Sequence, residues 1–230
     1  MRDRHVLCTG GTGGLGSKVT TALVRRGARV TVPVYARKEA DRLLADLGPS
    51  ATHVMLVEAD LRDEAKVAEL VAGMPRLDAL VHLVGGFATG PTASFSLTQY
   101  REQVDLNLTI TFLAIKHALG RMQAAGYGRI VTVASRAALE PSGQSSVYSA
   151  CKAAVLAFTR AVADETRGTG ITANCVLPSI IDTPANRAAM GDAEASKWVK
   201  PERLAETIAF LASDEAGDLR GSAVQVYGSA

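Results

Sequence analysis

The chain has 230 residues, enough for one α/β domain and short for two independent ones. Apolar residues make up 47% and charged residues 21%, with a mean hydropathy of +0.12, which excludes a disordered, collagenous or small disulfide-stapled protein. Lys plus Arg number 25 against 23 Asp plus Glu, a near-balance that gives no support to a nucleic-acid or anionic-membrane surface.

Short β-branched runs alternate with longer segments of helical period, the pattern of βαβ units around a parallel sheet covered on both faces. His5–Thr9 is predicted as a first strand, followed by a Gly-rich turn and a helix over 15–26 with Gly27 as its cap. A second strand over 29–34 carries Pro33, which either demotes it or falls near its end. A helix over 38–47 stops at Gly48-Pro49, and a strand over 54–57 and a helix over 63–72 follow. The fourth strand, 77–84, is apolar apart from Asp78 and His82. A long helix over 97–122, a strand over 129–134, a second long helix over 147–167 and a strand over 171–177 continue the alternation. Residues 178–200 are weakly patterned, 201–213 return to helix behind Pro201, and 223–227 form a last strand. No repeat or linker interrupts the pattern. It predicts one Rossmann-like, doubly wound α/β domain over 1–230, with about seven parallel strands and helices on both faces.

Thr9-Gly10-Gly11-Thr12-Gly13-Gly14-Leu15-Gly16 lies between the first strand and the first helix. Backbone without Cβ atoms turns tightly and approaches a pyrophosphate, whose charge is met by N–H groups at a helix N-terminus. The segment satisfies GxGxxG at Gly11, Gly13 and Gly16, and TGxxxGxG at Thr9, Gly10, Gly14 and Gly16. A carboxylate at the end of the second strand would accept from a ribose 2′-hydroxyl and repel a 2′-phosphate. Here the strand end reads Val34-Tyr35-Ala36-Arg37-Lys38, with no acid before Glu39, which favours NADP(H) over NAD(H) with Arg37 near the phosphate.

Tyr148 and Lys152 stand at i and i+4 on one helix face. Hydride delivered to a carbonyl creates an alkoxide that needs a proton, and a phenol near pKa 10 is a sluggish acid at neutral pH. A nearby cation is expected to stabilise the phenolate and lower that pKa toward neutrality. Ser135, at the end of the fifth strand, is placed to donate a second hydrogen bond to the carbonyl oxygen.

Thr9–Gly16, Asp60, Asn107 and the Ser135, Tyr148, Lys152 set, spaced Ser-x12-Tyr-x3-Lys, together resemble the short-chain dehydrogenase/reductase family over essentially the whole chain. The resemblance implies that Tyr148 is the general acid/base and that Lys152 tunes it and holds the nicotinamide ribose. It implies that Ser135 orients substrate and Asn107 supports a water-linked proton relay to Lys152. Thr9, Gly10, Gly14, Leu15 and Gly16 would hold the cofactor phosphates, and Asp60 and Leu61 would meet the adenine edge. Gly85 and Pro178 would line the nicotinamide end, and Thr183 would meet the nicotinamide carboxamide or a phosphate. Where the family commonly has Asn-Asn-Ala-Gly, this chain has His82-Leu83-Val84-Gly85, so the bracing of that strand must differ, and His82 is read as a satisfied core histidine ahead of a catalytic one. The usual Pro-Gly after the sixth strand is Pro178-Ser179.

Val84-Gly85-Gly86-Phe87, Leu177-Pro178, the run from Asp182 to Arg187, Met190 and Ser196-Lys197-Trp198 also look like the dihydropteridine reductase branch, which lacks the serine. Its NADH-using members carry an acid at the position of Val34. Ser135 tilts the reading toward a carbonyl reductase or alcohol dehydrogenase with a substrate lid at about 180–200, and Trp198 either serves that lid or anchors it. Reduction of a pterin or other conjugated C=N or C=C acceptor is the alternative. A non-catalytic nucleotide-sensing module is a third reading, against which the complete residue set argues. Phe87, Phe95 and Leu139 favour an apolar small-molecule substrate, with Arg136 and Arg187 as the groups able to meet a carboxylate. The family usually packs its two long helices against a neighbour's, so a homodimer or homotetramer is expected.

Cys8, Cys151 and Cys175 show no CxxC or Cys/His ligand spacing and are expected to be free thiols in a reducing compartment, with no metal. The N-terminus enters a strand-length apolar run without a cleavage site, and the longest stretch free of Asp, Glu, Lys and Arg, 79–100, is broken by glycines and Pro91. Neither a signal peptide nor a membrane span is expected, and the protein is expected to be cytoplasmic.

Overall fold

The strand β1 (His5–Thr9) shows why this sequence makes two layers of core: Val6 and Cys8 pack into one apolar cluster and Leu7 into another. In a strand successive side chains face opposite sides, so a run that is apolar at every position must be covered on both. The same alternation recurs in β4 (Ala79–His82), where Ala79 and Val81 face one way and Leu80 the other, and in β5 (Gly128–Val133) with Val131 against Ile130. The computed structural model describes residues 1–35 and 37–229, with residues 37–39 described in their backbone alone.

The remaining elements, in chain order, are α1 (Gly16–Arg25), β2 (Arg29–Val34), α2 (Arg37–Leu47), β3 (Val54–Glu58), α3 (Glu64–Gly73), α4 (Leu97–Val104) and α5 (Ile110–Ala125). They continue as α6 (Ser146–Glu165), β6 (Ile171–Pro178), α7 (Pro184–Met190), α8 (Pro201–Leu211) and β7 (Ala223–Val226). The described strands form one seven-stranded sheet in the order β3-β2-β1-β4-β5-β6-β7, with every pairing parallel. Val19 and Leu23 of α1, Leu43 of α2, and Leu204 and Ile208 of α8 cover one face. Leu70 of α3, Ile115 and Met122 of α5 and Val162 of α6 cover the other. Asp63 caps α3 by accepting from the N–H groups of Ala65 and Lys66 at 2.8 and 3.3 Å. Ser96 and Gln99 form a capping box on α4.

Two local expectations change, at β4 and in the long helix over 97–122, and two are made definite, at Pro33 and in 178–200. β4 is shorter than predicted because Leu83 and Val84 leave the sheet for the site loop. The long helix predicted over 97–122 is divided into α4 and α5 by a π-helical turn, Asp105–Thr109, which carries Asn107. Pro33 is tolerated in the strand near its end, since the β1–β2 ladder stops at Thr31 and Pro33 pairs with Val57 alone. The weakly patterned 178–200 contains the short helix α7, none of whose residues is buried.

At the end of the sheet away from the strand C-termini, buried Asp78 accepts from the backbone N–H of His5 at 2.7 Å, from Arg76 at 2.7 Å and from Arg4 at 3.2 Å. Arg4 and Arg129 stack on the Tyr127 ring, 4.1 and 4.5 Å from its centroid, and the Tyr127 hydroxyl donates to Asp214 at 2.6 Å. This clasp ties β1, β4 and β5 to the turn after α8. Replacing Asp78 by Ala leaves the His5 N–H and Arg76 without their acceptor, while Arg4 keeps Asp214. It is expected to lower unfolding free energy by about 3 kcal/mol, read as a shifted urea midpoint at unchanged slope. A loss below about 1 kcal/mol would show that the clasp does not hold the strands.

Candidate active site

The strand order reverses between β1 and β4, and in such sheets ligands bind in the crevice beyond the strand C-termini at that reversal. Thr9 and His82, opposite each other in register, are the last residues of the two strands, so the loops 10–15 and 83–86 open from one point. A Cβ on Gly16 would lie 1.9 Å from the Gly10 carbonyl oxygen, a collision with backbone that no rotamer relieves. Gly14 faces Thr183 across the crevice, its hypothetical Cβ 3.1 Å from the Thr183 methyl. Leu15, at the start of α1, provides no side-chain cap, and helix N–H groups of that kind meet phosphate.

On the other side of the crevice, Lys152 of α6 is buried to 6% exposure and donates to the Val133 carbonyl at 3.2 Å. Burial lowers its pKa to about 8. A Cβ on Gly85 would sit 2.8 Å from the Lys152 Nζ and 2.9 Å from Asn107 Oδ1, so only glycine leaves this cradle open. Asn107 is fully buried on the π turn. Its Oδ1 accepts from the Gly86 N–H at 3.2 Å, and its Nδ2 donates to the Gly86 and Gln103 carbonyls at 3.0 Å each. The cradle fits a nicotinamide dinucleotide approaching backbone closely at both ends.

Ser135, at the end of β5, accepts from the Ala137 N–H at 3.2 Å and neighbours the Tyr148 phenol. Burial raises the Tyr148 phenol above its ordinary pKa, and the neighbouring Ser135 hydroxyl acts in the opposite direction. The expected net lowering by Lys152 is therefore corrected: Lys152 Nζ lies 5.8 Å from the ring centroid, its bond goes to Val133, and desolvation of the phenolate dominates. Phe87 packs edge-on against Tyr148, ring centroids 4.8 Å apart, and stays 65% exposed. The arrangement brings together a phenol, a hydroxyl and a buried ammonium, groups able to move a proton, donate a hydrogen bond and supply a fixed positive charge.

His82 is fully buried with both ring nitrogens partnered, Nδ1 to Thr9 Oγ1 at 2.8 Å and Nε2 to Thr111 Oγ1 at 3.0 Å. Burial, with a smaller contribution from the Lys152 charge, lowers its pKa to about 3. It is the satisfied core histidine that the sequence favoured, and its partner Thr111 carried no signal in the sequence.

The other predicted residues are more dispersed. Asp60 stands exposed after β3, accepting from the Arg62 N–H at 3.0 Å, and Leu61 packs on the core beside it. Pro178 ends β6, and Thr183 caps α7 by accepting from the Asn186 N–H at 3.3 Å. The Arg37 side chain lies outside the described residues. The sequence put no acid at the end of β2, yet the fold brings one from β3, because exposed Glu58 pairs with Val34 in register. Arg187 is held by Asp182 and Asp192, and Arg136 stands 3.9 Å from Glu140 and 5.6 Å over the Tyr227 ring. Trp198 is buried at the root of 180–200, where Ile181 bridges Val199. Cys8, Cys151 and Cys175 are buried free thiols. No described helix is long and apolar enough to cross a membrane.

A family model described as short chain dehydrogenase matches residues 4–194. The cis-4-hydroxycyclohexanecarboxylate dehydrogenase of Sinomonas cyclohexanicum is 35% identical over 98% of this chain and 96% of its own. The 7α-hydroxysteroid dehydrogenase of Bacteroides fragilis is 30% identical over 99% and 94%. The solved structure titled "ElxO with NADP Bound" superposes with a TM-score of 0.91 at 25% identity, covering 98% of each chain.

Because His82 titrates near 3 when folded and near 6.5 when unfolded, the unfolded chain takes up the proton first as pH falls. The stability that neutral His82 contributes is complete above about pH 6.5 and is lost between about 6.5 and 3. Unfolding curves across that window should show His82→Asn losing less stability per pH unit than the wild type, by up to about 1.4 kcal/mol. Parallel slopes would contradict the buried neutral imidazole.

Proposed function

The chain belongs to the short chain dehydrogenase family, oxidoreductases that act on CH–OH or C=O with a nicotinamide cofactor, and on that premise we propose an NADP(H)-dependent enzyme for small cyclic alcohols or ketones. The observation that carries this reading is the grouping of Ser135 and the Tyr148 phenol beside the buried ammonium of Lys152, whose Nζ lies 5.8 Å from the Tyr148 ring centroid. When bound, the nicotinamide supplies or accepts hydride at the carbinol carbon. Tyr148, kept protonated by burial, gives its proton to the substrate oxygen in reduction and takes it back in oxidation. Ser135 donates to the same oxygen and fixes its direction. Lys152 holds the nicotinamide ribose and passes on the replacement proton, which comes from solvent through a water-linked relay that Asn107 supports.

Thr9, Gly10, Gly14, Leu15 and Gly16 take the phosphates. Asp60 and Leu61 take the adenine edge, and Gly85, Pro178 and Thr183 the nicotinamide end. The preference for NADP(H) rests on the absence of an acid at the end of β2 and on the cations that follow it, Arg37 and Lys38. An apolar substrate is supported by exposed Phe87 against Tyr148, by exposed Leu139 and Met190, and by the engagement of Arg187 with carboxylates of its own. Two relatives are named for ring alcohols, which supports the cyclic class. Residues 180–200 act as a lid over one domain spanning 1–230. The chain pairs into a dimer or tetramer through α5 and α6, where exposed Phe112 faces Phe158 with ring centroids 6.1 Å apart.

Oxidation of NADPH and NADH, followed by absorbance with a panel of cyclic ketones beside quinonoid dihydropterin, tests the reading. Tyr148→Phe should keep cofactor affinity and lose about 10³-fold in turnover, and Ser135→Ala should lose about 10²-fold. Near-normal turnover in Tyr148→Phe would overturn the assignment, and turnover of the pterin alone, indifferent to Ser135, would replace the carbonyl reading. Arg37→Ala should cut kcat/KM for NADPH about tenfold. A preference for NADH would instead give the ribose contact to Glu58.

A further inference from the structure

We propose that His82 is a positioning residue that, as a neutral imidazole protonated on Nε2, links the start of the dinucleotide loop at Thr9 to the backbone carbonyl of Asn107 through Thr111. The inference rests on the reading of Asn107, Tyr148 and Lys152 as the catalytic group.

Counting protons gives the direction of the chain. The Thr111 hydroxyl lies 2.7 Å from the Asn107 carbonyl, which can only accept, so its one hydrogen goes there. His82 Nε2, 3.0 Å from the same hydroxyl, must then be the donor. A neutral imidazole with hydrogen on Nε2 has a bare Nδ1, and the Thr9 hydroxyl donates to it at 2.8 Å. Three hydrogen bonds therefore run one way, from Thr9 to His82 to Thr111 to Asn107. Each polarises the next in a buried, low-dielectric setting.

Asn107 is the receiving end, and its position matters twice. Its side chain holds Gly86 by both N–H and C=O, which sets the path of the loop after β4, and its Oδ1 borders the Gly85 cradle beside the Lys152 Nζ. The π turn that carries Asn107 has no regular α-helical register to fix it, so the Thr111 bond to its carbonyl supplies part of that constraint. An imidazole is suited to this bridge because its two nitrogens face opposite ways, toward β1 and toward α5. Asparagine, with both polar atoms on one carbon, keeps only the nearer contact. Burial keeps the imidazole neutral, and the charged group facing the ring, Lys152, acts in the same direction.

Nitrogen-15 NMR of the histidine rings in the wild-type protein tests the proton assignment without substrate. His82 should show a protonated Nε2, a bare Nδ1 and no titration between about pH 8 and 5. A proton on Nδ1, or a midpoint near 6.5, overturns the proposal. His82→Asn and Thr111→Val should each lower kcat about tenfold while the dissociation constant for the nicotinamide cofactor changes less than about twofold. Combined, they should lose no more than either alone, and Thr111→Ser should restore kcat. Additive losses, an unchanged kcat, or a loss carried wholly by cofactor affinity would contradict it. If no alcohol or carbonyl turns over at all, the functional reading fails, and the NMR assignment still decides the hydrogen-bond chain.

Discussion

The ammonium of Lys152 is charged at neutral pH yet almost wholly withdrawn from water, and the crevice is arranged around that cost. One carbonyl, Val133, accepts from it directly. The glycine at 85 leaves room for it, and Asn107 borders the same cradle. Its field reaches outward as well. It helps to hold His82 neutral and opposes the upward push of burial on the thiols of Cys151 and Cys175. A cation fixed in this way needs no reorganisation when charge changes nearby, which is how a preorganised site favours a reaction.

The parallel sheet explains why these groups meet. β1, β4 and β5 end at one level, so Thr9, His82 and the Val133–Ser135 segment are delivered to the same rim. α6 then lays Tyr148 and Lys152 across that rim one turn apart. At the other end of the strands the Asp78 clasp binds the same three strands. The functional rim is left open to loops while the opposite rim is closed by ion pairs and stacked arginines. Segment 180–200 belongs to the open rim, with Trp198 and Val199 in the core and α7 wholly outside it.

Much of this was legible in the sequence because it is written in local signals. Strands that are apolar at every position, glycine spacing between a strand and a helix, and an i, i+4 pair on a helix all depend on neighbours in the chain. What escaped depends on residues far apart. Thr111 became meaningful only when α5 placed it against β4, twenty-nine positions from His82. The π turn at Asn107 has no pattern of its own, since a helical period runs through it undisturbed. Glu58 reached the end of β2 by strand register, which a reading of β2 alone cannot give. The Tyr148 shift runs opposite to the sequence expectation for a related reason: the i, i+4 spacing announces the cation, whereas the larger opposing effect is burial by the surrounding fold.

The central claim is that this crevice moves hydride between a nicotinamide and a carbinol carbon, with Tyr148 handling the proton. The most direct test is mass spectrometry of the alcohol formed when a cyclic ketone is reduced with NADPH deuterated at the transferable nicotinamide position. The account predicts one deuterium on the carbinol carbon, a hydroxyl proton from solvent, and almost no product from Tyr148→Phe under the same conditions. Product free of deuterium, or equal yield from the variant, would contradict it.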